Sequence, residues 1–402
     1  MKRVLSGGIL ILMAVAAGLS VANICYSQPL LDTIADDFQL SHALAGIIGA
    51  VTQTGYAMGL LLIAPLGDLL NRRKLIVGQL LVSSLALCLV ALATNRFVLL
   101  ATMAVIGLFA VAAQVIVAHA ATLALPSERG KTVGLVTSGI IIGILLARTV
   151  AGGLSDWFGW RAVYLVAACA TLVVAVLLTL LLPDQQAPSR RVSYPGLIAS
   201  LLMLFVEERV LRVRATLAFF IFFAVTVLLT PLVLPLSLPP YSLSHTIIGL
   251  FGLAGAAGAL GAVSAGRLAD HGHAELVTAA ALAIILVAWG AAVLLGHSIG
   301  WLIVAVVMMD YGLQAAHVAN QSLIFRLRPD SQSRLAAGYM IAYSAGCASG
   351  SLLSTLGYAH NGWPGVCLVG AAGSGLALIF WAFVHQADQA QTARRARGAN
   401  SA

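Results

Sequence analysis

Apolar residues run along this chain in stretches of about twenty or more, and each stretch ends in a short cluster of Arg, Lys, Pro, Gly or Asn. An α-helix rises about 1.5 Å per residue, so roughly 20 apolar residues cross the ~30 Å hydrocarbon layer with every backbone polar group bonded internally. The pattern predicts twelve spans, near residues 4 to 27, 42 to 66, 75 to 94, 97 to 124, 132 to 155, 161 to 182, 215 to 236, 245 to 266, 274 to 296, 299 to 325, 335 to 357 and 363 to 384. The expected organisation is an N-terminal six-helix bundle over 1–182, a cytoplasmic central loop over 183–214, and a C-terminal six-helix bundle over 215–402 that ends in a short cytoplasmic tail. Met1-Lys2-Arg3 and the apolar run to Ala16-Ala17-Gly18 have the form of a secretory leader, but the spans that follow favour a retained first helix.

Composition agrees with the pattern. With 60% hydrophobic and 9% charged residues, the chain falls outside the water-soluble class, where about a quarter of residues are charged. The net charge of +8 raises the question of a nucleic-acid partner. If the amino terminus is cytoplasmic, 19 of the 22 Lys and Arg fall on the inner side, only Arg96 and Arg161 on the outer, and Arg148 within a span. That bias is the positive-inside rule, and no basic cluster is interleaved with aromatics for base stacking. The expectation is a multi-pass protein of the bacterial inner membrane with both termini cytoplasmic, monomeric, surrounded by lipid bilayer and without a nucleic-acid partner.

Cys25, Cys88, Cys169, Cys347 and Cys367 lie in or beside apolar stretches without metal-ligand spacing, so they read as packing residues and no metal is expected. Gly130-Lys131-Thr132 could end a phosphate-binding loop, but the first glycine of that motif is Leu125 here, followed by Pro126, and no strand precedes it. No cofactor is expected, and energy must come from an ion gradient or from the substrate's own.

The two halves match at an offset of 202 to 203 residues. Pro29 pairs with Pro231, Leu66 and Asp68 with Leu268 and Asp270, Pro126 with Pro329, Gly143 with Gly346, and Gly159-Trp160 with Gly362-Trp363. Internal repeats of this kind are a mark of secondary transporters.

Between spans 2 and 3 the chain reads Ala64-Pro65-Leu66-Gly67-Asp68-Leu69-Leu70-Asn71-Arg72-Arg73-Lys74, and between spans 8 and 9 Gly266-Arg267-Leu268-Ala269-Asp270-His271-Gly272-His273. Both stretches resemble the signature loop of the major facilitator superfamily. Span 5 carries Gly139-x-x-x-Gly143 and Leu146-Ala147-Arg148-Thr149-Val150-Ala151-Gly152-Gly153, similar to the antiporter motif of efflux members, with Ile144 where a proline is usual. Ala22-Asn23-Ile24-Cys25-Tyr26-Ser27-Gln28-Pro29 in span 1 and Asp310-Tyr311-Gly312-Leu313-Gln314 in span 10 resemble the arabinose-efflux-permease-like, drug:proton antiporter branch. The resemblance implies an all-α membrane protein of the major facilitator fold, twelve helices in two six-helix pseudo-repeats. It also implies a gating loop of Asp68, Arg72, Arg73 and Asp270 that breaks during alternating access. The span-4 arginine often linked to proton handling in that family is absent, with Met103 at the matching place.

At about 100° per residue, Asp310, Gln314, His317 and Gln321 share one face of span 10, with Asn320 to one side. Such a polar stripe belongs on a cavity, and Asp310 is an acid deep within a span, where ionisable groups are costly and functional by default. The expected substrate cavity comprises Asn23, Tyr26, Gln28, Gln314, His317, Asn320 and Gln321, with proton coupling at Asp310 and Arg148. The plainer readings are an Asp310–Arg148 pair, a helix-to-helix hydrogen bond from His317, and close helix packing at Gly139 and Gly143. Gly55 and Gly59 of span 2 are expected to meet Gly346 and Gly350 of span 11.

The leading functional expectation is a secondary transporter that exports small organic or amphipathic compounds, with protons as the coupled partner. Uptake of a small polar nutrient such as a sugar is the alternative. An intramembrane enzyme is a distant one, because no serine or cysteine nucleophile is tied to Asp310 and His317, and no catalytic residue is assigned.

Overall fold

The computed structural model describes residues 7–125, 128–183, 193–328 and 332–399, and among them it is helical throughout. In the first half the helices are α1 (Gly7–Ala22), α2 (Leu31–Asp37), α3 (His42–Ala45), α4 (Ile47–Leu62), α5 (Arg72–Ala91), α6 (Arg96–Ala110), α7 (Ala112–Leu123), α8 (Arg129–Phe158) and α9 (Trp160–Leu181). After α10 (Tyr194–Glu207) come α11 (Arg209–Leu229), α12 (Val233–Ser237), α13 (His245–Leu250), α14 (Ala256–Asp270), α15 (Ala274–Val293), α16 (Ile299–Phe325) and α17 (Gln332–Ala399). Nine segments of the described residues are long and apolar enough to cross a membrane. One of them, Arg334–Ala390, is two spans, since α17 breaks at Asn361 and Gly362. Helix α1 and the α13–α14 segment, interrupted by a 3-10 turn at Phe251–Gly255, complete the twelve.

Polar residues at the span boundaries start the helices. The side chains of Asn71, Asn95, Ser244 and Ser298 accept backbone N–H groups in the first turns of α5, α6, α13 and α16, satisfying donors that a helix start leaves unpaired. Glycine ends two of them. Gly159 (φ 81°) turns the chain between spans 5 and 6, and Gly362 (φ 59°) does so between spans 11 and 12. These are partners in the 203-residue repeat, and each needs the left-handed region that side chains disfavour. The tryptophan after each is buried, Trp160 donating to Asp37 Oδ2 (2.9 Å) and Trp363 to the carbonyl of Ala292 (2.8 Å).

The repeat extends to packing. In the first half α1 lies on α8 through Gly18, Gly139 and Gly143, and α4 lies on α6 through Gly55, Gly59 and Gly107. The second half matches it: α11 meets α17 at Gly346 and Gly350, and α14 meets α16 at Gly258 and Gly261. Gly139 faces Ala14 and Gly143 faces Gly18, backbone against backbone, which is the close approach that small residues four apart permit.

The expected contact of Gly55 and Gly59 with Gly346 and Gly350 is therefore wrong. Gly55 and Gly59 abut Ala104 and Leu108, whereas Gly346 and Gly350 abut Phe219 and Phe223, so each pair packs inside its own half. The halves meet instead at Gly46 and Gly49, which face Ser351 and Thr355.

The central stretch also differs from the expected loop. Within 183–214 the chain forms α10 and the start of α11, because Leu197, Ile198, Leu201, Leu204 and Phe205 supply an apolar run behind the Ser193 cap and Pro195. Arg328 ties the end of α10 to the second half through Glu207 (2.9 Å) and Glu208 (2.7 Å). Pro126, Pro329, Lys2, Arg3, Arg190 and Arg191 lie outside the described residues.

Candidate functional site

Span 10 holds Asp310 in the middle of the 27-residue α16, its side chain buried. The carboxylate lies beside the 3-10 turn that interrupts span 8: a Cβ on Gly255 would stand 3.3 Å from Asp310 Oδ2. On the same turn, from the other half of the molecule, the aliphatic stem of Arg148 rests on Gly252. The glycines thus let a carboxylate and the stem of an arginine approach one helix break from two sides. Arg148 lies within electrostatic reach of Asp310 and of the thiols of Cys25 and Cys347. Its Nε donates to Gln28 Oε1 (2.7 Å), and no ion pair with Asp310 forms among the described residues.

The residues expected to line a cavity separate into two groups. Gln28 holds Arg148, Gln314 packs over Gly258, and Tyr26 sets its ring edge-on to Tyr164 at 6.4 Å. Gln28 and Gln314 lie near the Arg148–Asp310 region, whereas Tyr26 packs into the first half on span 6. His317 sits further along α16, its Nδ1 3.1 Å from the Tyr339 hydroxyl and its ring edge-on to Phe222 at 5.6 Å. Gln321, about one turn beyond, is half-buried. Asn23 and Asn320 are buried. The Asn23 carbonyl has no hydrogen-bond partner among the described residues, while Asn320 Oδ1 accepts from Arg214 Nη1 at 3.5 Å.

Sequence reasoning placed Arg214 in the central loop and did not see that second constellation. Arg214 is 5% exposed in α11, pairs with Glu275 at the start of α15, and donates to Thr278 Oγ1 (3.3 Å). Tyr56 and Tyr343, from opposite halves with ring centroids 6.2 Å apart, were also not singled out.

In the loop after span 2, Arg72 is the organising residue. It donates to Asp68 Oδ1 (3.1 Å), to the carbonyl of Gly67 (2.8 Å) and to the carbonyl of Ala118 on α7 (3.2 Å). Arg73 donates to the carbonyl of Thr179 on α9. The side chain of Asp270 lies outside the described residues, but the carbonyl of the preceding Ala269 accepts from Arg326 (3.1 Å).

The opposite end, read as external from the charge distribution, joins the halves. Ser351 donates to the carbonyl of Gly46 (2.8 Å) and Thr355 to that of Ala43 (3.2 Å). Asp32, Asp156 and His245, none of them singled out in the sequence, converge there: His245 Nε2 is 3.0 Å from Asp32 Oδ1 and Nδ1 is 3.1 Å from Asp156 Oδ1. Burial alone would raise the Asp32 carboxyl, but its hydrogen bond to His245 and the charge of that ring leave it below its ordinary value.

A family model described as the Major Facilitator Superfamily matches residues 10–313. The uncharacterized transporter YgaY of Escherichia coli O157:H7 is 43% identical over 378 residues, covering 94% of this chain and 95% of that one. A protein of Streptomyces coelicolor named "Probable transporter SCO4007" is 33% identical over 362 residues, covering 90% of this chain and 84% of the other. Among solved structures, a peptide transporter POT in complex with sulfate superposes with a TM-score of 0.73 over 96% of each chain at 16% identity, a likeness of fold.

Proposed function

Because this chain belongs to the Major Facilitator Superfamily, we propose that it is a secondary transporter that exports small organic or amphipathic compounds in exchange for protons, with Asp310 as the coupling carboxyl. The chain is a multi-pass membrane transporter and not an enzyme. We place it in the bacterial inner membrane with both termini cytoplasmic, on the distribution of its basic residues.

The observation that carries the reading is the burial of Asp310 against the broken span 8, with Arg148 of the other half on the same turn. A carboxyl at a helix break between two moving halves can be exposed to one side and then the other. That is what proton coupling by alternating access requires, and Arg148 supplies a charge that reaches it only while the halves adjoin. The surroundings favour a neutral or weakly cationic amphipathic substrate. Half-buried Phe222 and Tyr343, beside His317, offer aromatic surface, whereas a phosphorylated compound would need a clamp of several Arg or Lys.

Purified protein in proteoliposomes tests the reading. Asp310→Asn keeps the size and much of the hydrogen bonding but cannot release a proton, so gradient-driven transport should be lost while substrate exchange survives. Since Arg148 is held by Gln28, the variant should fold without a compensating Arg148→Leu change. Equal substrate-induced proton release from wild type and Asp310→Asn in weak buffer would end the case for Asp310, and net accumulation inside whole cells would replace export by uptake.

A further inference from the structure

The cluster at the outer end has a geometry that specifies a protonation state. His245 begins α13, in the second half, and both of its ring nitrogens face carboxylates of the first half. Nε2 lies 3.0 and 3.2 Å from the two oxygens of Asp32 on α2, and Nδ1 lies 3.1 Å from Asp156 Oδ1 at the end of α8. A neutral imidazole has one N–H and one lone pair, and an ionised carboxylate can only accept. In the neutral ring, one of the two carboxylates would face a lone pair. Thr33 does not resolve this, because its hydroxyl, 3.1 Å from Nε2, has a single proton and is placed to donate it to Asp32 Oδ1 (3.2 Å). Only the imidazolium, with two N–H groups, satisfies both sides.

We propose that His245 is a proton-binding site that latches the two halves together at the outer end, closing it when protonated and releasing it when neutral.

The other groups around the ring agree. The titratable residues that face it are Asp32 from α2 and Asp156 from α8. Asp156 is already engaged with α13, accepting from the backbone N–H of His245 (3.1 Å), the backbone N–H of Thr246 (2.8 Å) and the Thr246 hydroxyl (2.6 Å). Ser237, at the end of α12, supplies a further hydroxyl to Asp32. Arg148 is also on α8 but turns its guanidinium to Gln28, and on α2 Asp37 is committed to Arg161 and Trp160 while Asp36 is exposed. No second cation therefore substitutes for the imidazolium between these carboxylates among the described residues. The three side chains are 21%, 16% and 21% exposed for His245, Asp32 and Asp156, open enough to exchange protons with the adjoining water and closed enough for the charges to be felt.

The sign follows from linkage. The latched form binds the proton more tightly than the released form, so acid favours closure and alkali favours opening, by up to about tenfold in the equilibrium per pH unit for one linked proton. Under the orientation proposed above, on which this step rests, protons arriving from the external side close the outer end. That is the return step of an exporter exchanging substrate for protons.

The test uses full-length protein in lipid nanodiscs with spin labels at Thr94→Cys and His297→Cys, exposed positions on outer loops of opposite halves. Half-buried Cys88 and exposed Cys169 are first replaced by Ala, whereas Cys25, Cys347 and Cys367 are buried. Between about pH 5.5 and 8.5, the range in which an imidazole titrates, the wild-type distance distribution should pass from a short to a long population. His245→Gln should remove the pH response, and His245→Arg, permanently charged, should hold the short population throughout. Two wild-type populations whose ratio responds to pH equally in His245→Gln would overturn the latch and leave alternating access standing. A single population under every condition would overturn both.

Discussion

At the scale of single residues, the charges that are easy to see and those that matter to the assembly are not the same set. Asp37 shows how a surface group can be tested on its own. The hydrogen bond from Arg161, with that of Trp160 and the arginine's charge, holds its carboxyl below the ordinary value of 3.8. A depressed folded value means stabilisation that is present above the unfolded value and lost as pH falls through the folded one. Asp37→Asn should therefore lower the melting temperature in detergent near pH 7, and the difference from wild type should shrink as the pH falls through and below the ordinary carboxylate range. A gap that persists in acid would assign the effect to packing of Trp160 and not to charge. Asp310 and Arg148 were legible in the sequence because an ionisable group inside an apolar run is conspicuous. Asp32, Asp156 and His245 were not, since charged residues at span ends are ordinary and His245 lies 213 and 89 positions from its two partners in the chain. Arg214 departs from its expected loop position for a related reason: a basic residue near a polar stretch reads as a loop marker, whereas Glu275 and Thr278 hold it inside the bundle.

At the scale of elements, hydropathy marks the membrane spans but not α10, and the caps and glycines set the ends of the spans. What spacing could not give was the partner. Small residues four apart announce a close contact without saying against which helix, and so the glycines of α4 and α17 were paired with each other when each meets a neighbour in its own half. The same contacts now make a prediction. Gly143→Leu would drive a side chain into the backbone of Gly18, and overpacking of that kind costs about 1–3 kcal/mol. A marked fall in thermal stability is expected for Gly143→Leu and little change for Gly78→Leu, whose site is open. Helix propensity favours leucine over glycine at both positions, so comparable losses at both would mean that the close approach to Gly18 is not what holds the two helices together. The loop after span 2 calls for the opposite signature. The Asp68–Arg72 pair is an i,i+4 contact with Asp68 57% exposed, worth less than about 1 kcal/mol, while Arg72 keeps its bonds to Gly67 and Ala118 without it. Asp68→Asn should leave stability and expression nearly unchanged yet slow transport, if the aspartate acts in a contact made and broken during the cycle. Transport at the wild-type rate would return the loop to a purely topological role.

At the scale of the whole molecule, the internal repeat is the feature that sequence and structure share most fully. Span 1 on 5 and 2 on 4 in the first half recur as 7 on 11 and 8 on 10 in the second. Two compact halves built this way can move as bodies, and the bonds between them show where they are closed. Ser351 to Gly46, Thr355 to Ala43, and the His245 cluster all lie at one end. If transport is a rocking of the halves about a central site, a covalent tie at that end must stop it. Gly49 and Ser351 provide the tie: a Cβ on Gly49 would lie 3.3 Å from Cβ of Ser351, near the roughly 3.5–4.5 Å that a disulfide spans. Gly49→Cys with Ser351→Cys should crosslink on mild oxidation, transport should stop, and reductant should restore it. The control pair Gly55→Cys and Gly346→Cys, whose glycines face different helices, should not crosslink. Full transport by the oxidised Gly49→Cys, Ser351→Cys double variant, with the bond confirmed by mass spectrometry, would show that the outer end need not open, and the two-body account of this transporter would fail with it.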